Sequence, residues 1–206
     1  MPRPFTDAER QAIAERLLAA GRRLFSRYGL RKTTVEEIAR AAGIAKGTFY
    51  LFYPAKESLY ADILLRAIPQ MLSELIDRSF AATDDVREAL VRYLKGLVEL
   101  IDTDELVRAA VADPLAQARL LATIDVHDIQ RRRGELLAPL LEAIATAQGR
   151  GRLVAGDPME IVQILGVIKV LPLYKEQIPA EQYPHLVDRL AQVIADGLSC
   201  PAREEG

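Results

Sequence analysis

The chain has 206 residues, half of them hydrophobic, with 27 lysines and arginines against 29 aspartates and glutamates. That apolar content is enough for a folded core and excludes a wholly disordered chain, and the single cysteine excludes an intrachain disulfide. The longest apolar region, residues 161–173, is too short to span a membrane. Because the first residues also lack the apolar core of a signal peptide, we expect a cytoplasmic protein with no membrane partner.

The charges are unevenly distributed along the sequence. Residues 1–60 carry more basic than acidic side chains, and the rest of the chain carries more acidic than basic ones. Proteins that bind nucleic acid neutralise its phosphates with lysine and arginine. The N-terminal part is therefore the part of the chain whose charge suits nucleic-acid binding.

A first helix is predicted to begin at the capping box Thr6-Asp7-Ala8-Glu9. Apolar residues follow at helical spacing as far as Tyr28. Gly29 predicts the end of this helix, because glycine adopts a left-handed conformation at little cost. We expect the helix to pack under the next two.

Residues 33–59 predict two short helices joined by a tight turn and running into a third. The first short helix is indicated by the capping box Thr34-x-x-Glu37, by apolar residues at helical spacing and by Gly43 at its end. The second is predicted over Lys46 to Phe52. Its outer side carries Lys46, Gly47, Thr48 and Tyr50. This is a helix-turn-helix, in which the N-terminal residues of the second helix meet base edges in the major groove.

The rest of the sequence predicts a helical body, and the fold class is therefore all-α. A helix from 54 or 55 to about 80 connects the helix-turn-helix to this body, and Pro69 should kink it. Further helices are predicted from about 86 to 101, at 105–112, from about 124 to 148 with Pro139 as a second kink, from 158, and at 180–198. The predicted domains are 1–53, with the helix-turn-helix, and 54–206.

The last two predicted helices carry more apolar surface than one chain covers. The sequence from Met159 to Leu173 is apolar nearly all round, and such a helix must be covered on every side. A patch of this size would be unusual on a monomer, so the residues predict an interface. Its predicted members are Ile161, Leu165, Ile168, Leu186, Leu190, Val193 and Ile194.

The sequence shows no catalytic constellation. It has no Cys/His cluster with metal-binding spacing, no phosphate-cradling glycine loop and no G-x-S-x-G motif. Acidic pairs such as Glu36/Glu37 fall at predicted helix starts, where the helix dipole favours them. We therefore expect no enzymatic activity, no metal and no cofactor.

The run AAGIAKGTFYLFYPAKESLY resembles the DNA-binding signature of the TetR family of bacterial helix-turn-helix transcriptional regulators. The core Gly-Ile-x-Lys-Gly-Thr-Phe-Tyr and the following Pro-x-Lys-Glu-x-Leu match that signature in order and spacing. The resemblance implies nine or ten helices and a homodimer whose last two helices form a four-helix bundle across a two-fold axis. Ala45 and Ala55 depart from the family, which often carries a capping residue at these positions.

The resemblance also implies which residues contact bases and which contact phosphates. It places Lys46 and Thr48 at base edges, and Gly47 where the backbone approaches the groove closely. The residues that it assigns to phosphates are Thr33 or Thr34, Tyr50, Tyr53 and Lys56.

A cavity for an effector in the helical body is implied by the same resemblance. Such cavities are apolar with a few placed polar groups, so we expect a small, largely apolar organic molecule. The candidate pocket residues are Tyr93, Leu97, Leu106, His127 and Gln130.

Two functional hypotheses follow from the sequence. The first is a repressor that such an effector releases from a palindromic, double-stranded DNA operator. The alternative is a helical ligand-binding or protein-interaction domain whose helix-turn-helix is only structural. Salt-dependent binding to duplex DNA separates the two, because neutralising phosphates releases counterions.

Overall fold

The computed structural model describes residues 5–112 and 126–199, with the side chains of 126–133 left out. These residues fold into helices and form no extended strand, which confirms the all-α prediction. The helices are α1 (Asp7–Lys32), α2 (Val35–Ala41), α3 (Lys46–Phe49), α4 (Lys56–Phe80), α5 (Val86–Thr103), α6 (Glu105–Ala112), α7 (Val126–Gly149), α8 (Pro158–Gly166), a 3₁₀ segment (Val167–Gln177) and α9 (Tyr183–Leu198).

Several predicted helix boundaries differ from the observed ones. The end of α1 lies at Lys32, although Gly29 interrupts the helical geometry with φ 74°. The second helix of the helix-turn-helix ends at Phe49, short of the predicted Phe52. The apolar helix after Asp157 ends at Gly166 and continues as a 3₁₀ segment that contains Pro172. This proline has no N–H and disfavours the α conformation in the residue before it.

Contacts divide the described residues into two compact units. The first contains the residues up to Ile68 and those from Asp104 to Ala112, and the second contains Pro69 to Thr103 and the described residues after 126. The division passes through α4 next to Pro69. It differs from the predicted domain boundary at residue 53, because the first half of α4 shares a core with the helix-turn-helix.

The core of the first unit is built from α1 to α4 together with α6. Phe25 of α1 packs edge-to-face on Tyr60 of α4, with ring centroids 5.2 Å apart. The two helices approach closely at Gly21, where an added Cβ would lie 2.9 Å from the side chains of Leu59 and Ile63. Other buried members are Ile13, Leu17, Ile38, Phe49, Leu106 and Ala110.

The position of α6 in this core is fixed at its first turn. Asp104 caps α6, because its Oδ1 accepts hydrogen bonds from the backbone N–H groups of Leu106 at 2.9 Å and Val107 at 3.2 Å. Its other oxygen, Oδ2, lies 3.2 Å from Arg22 of α1. A segment far along the sequence is thereby attached to the first helix of the unit.

The second unit is organised around α5, which presents the broad apolar face predicted for it. The buried face includes Leu90, Leu94 and Val98 and packs with residues of α7, α8, the 3₁₀ segment and α9. Ion pairs between Arg87 and Asp196 and between Lys95 and Asp188 join α5 to α9. Within the part of the chain that the structure describes, no helix is long and apolar enough to cross a membrane.

Candidate nucleic-acid interface

The start of α2 is fixed by the predicted capping box. The Thr34 hydroxyl accepts a hydrogen bond from the backbone N–H of Glu37 at 3.3 Å, and the Glu37 carboxylate accepts one from the backbone N–H of Thr34 at 2.8 Å. The hydrogen bonds that the backbone N–H and the hydroxyl of Thr34 donate to the Glu37 carboxylate lower the pKa of Glu37. Gly43, with φ 67°, allows the turn after α2, and the N–H of Ile44 then reaches the carbonyl of Ala39 at 2.9 Å.

The second helix of the motif, α3, is a single turn that packs on the core of the first unit through Phe49. Its N-cap residue, Ala45, supplies no side-chain hydrogen bond, as the departure from the family signature predicts. Phe49 is completely buried, and its ring lies against those of Tyr50 and Tyr53 at centroid distances of 5.5 and 6.0 Å. The short helix is therefore anchored by one aromatic residue, with no side-chain cap at its start.

The outer side of α3 faces solvent. Lys46 and Gly47 are exposed, Tyr50 retains half of its exposure, and Thr48 is half-buried. An added Cβ at Gly47 would meet no atom within 4 Å, so the fold itself does not require glycine there. Leu51 is 60% exposed beside these residues, which the sequence pattern does not predict.

Lys46 forms an ion pair with Glu36 of α2 across the turn of the motif. The hydrogen bond between them lowers the pKa of Glu36 and raises that of Lys46. Glu36 was predicted only as a residue suited to the helix start. The structure shows that it also holds the lysine predicted to reach base edges.

The predicted phosphate contact of Thr33 must be corrected. Its side chain is completely buried. Its hydroxyl donates hydrogen bonds within the protein, to the carbonyl of Gly29 at 2.8 Å and that of Leu24 at 3.3 Å. A hydroxyl in this position cannot reach DNA, whereas the neighbouring Thr34 is exposed.

Tyr53 and Lys56, also predicted to contact phosphates, are half-buried and bound within the protein. The Tyr53 hydroxyl donates to Asp62 Oδ2 at 2.8 Å. Burial and this bond raise the pKa of Tyr53 above its usual range. Lys56 Nζ donates to the carbonyls of Thr33 at 2.7 Å and Leu30 at 2.8 Å. Sequence reasoning missed Asp62, because the pairing depends on how α4 packs.

The predicted pocket residues do not all belong to one core. Tyr93 and Leu97 are buried in the core of the second unit, and burial raises the pKa of Tyr93 to about 12. Leu106 is fully buried in the core of the first unit. The side chains of His127 and Gln130 lie outside the described residues.

The predicted interface also needs correction. Ile161, Leu165 and Ile168 are at most 3% exposed, because they pack inside the second unit of their own chain. Leu186 and Val193 are exposed, and Leu190 and Ile194 are half-buried. The exposed apolar residues that the prediction missed are Ile164, Val167, Val170, Leu173 and Tyr174.

Within the described residues, no cluster of His, Cys, Asp and Glu side chains has the arrangement of a metal site. The chemistry available on the surface of the helix-turn-helix consists of a lysine, hydroxyl groups and an open glycine backbone. Groups of this kind can bind and orient a partner.

Comparisons with known proteins agree with this geometry. Residues 17–63 match the family described as bacterial regulatory proteins, tetR family. An uncharacterized HTH-type transcriptional regulator of Mycobacterium tuberculosis is 27% identical over 160 residues, covering 78% of this chain and 79% of that protein.

Solved structures show the same fold. A putative TetR-family transcriptional regulator from Mesorhizobium loti has a TM-score of 0.68 and 17% identity, covering 95% of this chain and 100% of that one. The regulator FadR of Bacillus subtilis, solved in complex with stearoyl-CoA, has a TM-score of 0.68 and 18% identity, covering 89% and 98%. The helix-turn-helix and the family match identify residues 17–63 as a TetR-family DNA-binding region, and the whole chain is similar to helix-turn-helix transcriptional regulators.

Proposed function

We propose that the protein is a repressor that binds a palindromic operator as a homodimer and is released from it by a small, largely apolar organic effector. The observation that carries the DNA-binding part is the outward presentation of Lys46, Gly47, Thr48 and Tyr50 on α3. A purely structural helix-turn-helix has no need of an exposed lysine and an open glycine at the start of its second helix.

In this proposal Lys46 and Thr48 read base edges. Lysine donates to guanine acceptors, and threonine contacts either a polar edge or a thymine methyl group. Gly47 lets the backbone of α3 approach the groove, since no side chain stands in between. Thr34 and Tyr50 contact phosphates, which fix the register of the protein on the duplex. Leu51, exposed beside Tyr50, adds apolar surface for a thymine methyl group.

The homodimer is supported by an exposed apolar surface on the second unit, which we call the apolar face. In a 3₁₀ helix the side chains at i and i+3 eclipse one another, so Val167, Val170 and Leu173 form one row. Exposed apolar surface of this extent is typical of an interface, and a second copy supplies a self-complementary partner about a two-fold axis. The apolar face consists of Ile164, Val167, Val170, Leu173, Tyr174, Leu186 and Val193.

The effector part of the proposal is supported by analogy of fold. FadR of Bacillus subtilis, with the same fold, was solved with stearoyl-CoA. An effector releases DNA only by binding the non-DNA-binding conformation more tightly. A 10- to 100-fold loss of DNA affinity requires about 1.4–2.8 kcal/mol of coupling, which is within the usual range.

The proposal is tested by selecting bound duplexes from a random-sequence library with the unmutated protein. A two-fold protein presents two identical reading helices, so the selected sequences should contain two inverted half-sites. Selection of a single, non-repeated half-site would contradict the homodimer, and no enrichment over random sequence would favour the structural helix-turn-helix.

A further inference from the structure

The ammonium group of Lys56 lies at the corner between the end of α1 and the start of α2. Its Nζ donates hydrogen bonds to the carbonyl oxygens of Thr33 at 2.7 Å, Leu30 at 2.8 Å and Arg31 at 3.4 Å. An ammonium group carries three protons and accepts no hydrogen bond. Three backbone carbonyls therefore take up its entire donor capacity.

The carbonyls at this corner need donors from outside their own helix. The last four carbonyls of a helix have no partner within it, and the C-terminus carries a partial negative charge that a cation stabilises. Leu30 and Arg31 lie in the last turn of α1, directly after the irregular residue Gly29. The hydroxyl of Thr33 bonds the carbonyl of Gly29, and Lys56 bonds the carbonyls that follow.

The corner positions the elements that the proposed function places on DNA. The Thr33 carbonyl belongs to the same peptide unit as the N–H of Thr34, which caps α2. Lys56 is itself the first residue of α4. One side chain therefore connects the end of α1, the start of α2 and the start of α4, all within the first unit.

We propose that Lys56 is a positioning residue for DNA recognition: its ammonium holds the corner between α1 and α2 and does not contact a phosphate. DNA affinity depends on it because the corner sets where Thr34 and α2 lie against the duplex. The inference rests on the proposed DNA-binding function and gives this lysine a role that the sequence pattern did not predict.

Salt dependence separates positioning from phosphate contact, because the slope of log affinity against log salt counts the phosphates that the protein neutralises. We would compare Lys56→Met with Lys46→Met on a labelled duplex carrying the selected operator. Lys46→Met removes a cation that the proposal places at base edges, between the two phosphate backbones that its charge helps to neutralise, so its slope should fall by up to about 1. Lys56→Met should weaken operator binding by about fivefold or more, as expected for lost hydrogen bonds, with the slope of the unmutated protein. A slope that falls in Lys56→Met as it does in Lys46→Met would overturn the inference.

Lys56→Arg provides a second, charge-preserving test. A planar guanidinium does not match three converging carbonyls as an ammonium does. Positioning therefore predicts that Lys56→Arg loses affinity despite its retained charge, and that its slope is unchanged. Full operator affinity in Lys56→Arg would contradict positioning. If Lys56→Met does not fold, Lys56→Arg still tests the inference.

Hydrogen exchange separates failure of this inference from failure of the proposed function. Faster exchange of the amides of residues 33–38 in Lys56→Met than in Lys46→Met would support the corner's dependence on Lys56, whether or not the protein binds DNA. Equal exchange in both variants would overturn it. Failure of the unmutated protein to bind duplex DNA would overturn the proposed function and with it the link from the corner to recognition.

Discussion

The hydroxyl of Tyr53, just after the helix-turn-helix, donates a 2.8 Å hydrogen bond to Asp62 Oδ2 in α4. Arg66, one turn further along α4, donates from Nε to the other oxygen of the same carboxylate at 2.9 Å. Asp62 thus connects the end of the motif to α4. Together with Lys56, it attaches the first half of that helix to the rest of the first unit.

Tyr53→Phe tests this connection. The substitution removes the hydroxyl and keeps the ring beside Phe49, so the first unit should lose about 1 kcal/mol of stability. If Tyr53 contacts no phosphate, the salt dependence of DNA binding should be unchanged. Thermal unfolding and DNA titration measure the two effects. Unchanged stability combined with weaker binding to every duplex would instead indicate the phosphate contact predicted from the sequence.

Because of Tyr93, the second unit should become less stable as the pH rises into the alkaline range. Burial raises its pKa from 10.0 to about 12, so the folded state keeps the proton that the unfolded chain releases first. The stabilisation is complete below pH 10 and is lost as the pH rises towards 12. Its size is about 3 kcal/mol. Tyr93→Phe has no such proton, so its unfolding free energy should fall less over this range. Parallel pH curves for the two proteins would contradict the burial of this hydroxyl.

Glu36→Gln tests the ion pair with Lys46. Because DNA must displace Glu36 to engage this lysine, the substitution should strengthen binding to random-sequence duplexes by about two- to fivefold, as expected for an exposed pair. Glu37→Gln is the matched control, since it removes the same charge one residue away and keeps the capping box. Fluorescence anisotropy measures both affinities. An equal increase in DNA affinity in the two variants would show that the negative charge at this helix start, and not the ion pair with Lys46, limits binding.

Comparing Val193→Asp with Leu165→Asp distinguishes a residue of the apolar face from a residue of the core. Val193 is 57% exposed and Leu165 is completely buried. Val193→Asp should give a folded monomer, whereas Leu165→Asp should destabilise the second unit by several kcal/mol, because it buries a charge. Light scattering and circular dichroism distinguish the two outcomes. A dimer that persists in both Val193→Asp and Val167→Asp would contradict an interface on this face.

Local sequence signals predicted the helix-turn-helix well. The capping box Thr34-x-x-Glu37 and the turn at Gly43 depend on neighbours within one or two helical turns, and both occur as predicted. The fold class followed from helical periodicity along the chain.

Contacts between distant segments could not be predicted in the same way. Lys56 bonds carbonyls 23 to 26 residues earlier, and Asp104 pairs with Arg22 across 82 residues. Likewise, a segment that is apolar all round does not reveal which side its own chain covers. Leu165 was therefore assigned to an interface, while the structure places it in the core and leaves Val167 exposed.

The most direct test of the account is the salt dependence of binding to the selected operator and to a random duplex, measured for the unmutated protein and for a Lys46→Ala, Tyr50→Ala double variant. The account predicts a steep decrease in affinity with salt, tighter binding to the operator than to the random duplex, and loss of that preference with a shallower slope in the double variant. Normal operator affinity in the double variant, or affinity of the unmutated protein that does not change with salt, would contradict it.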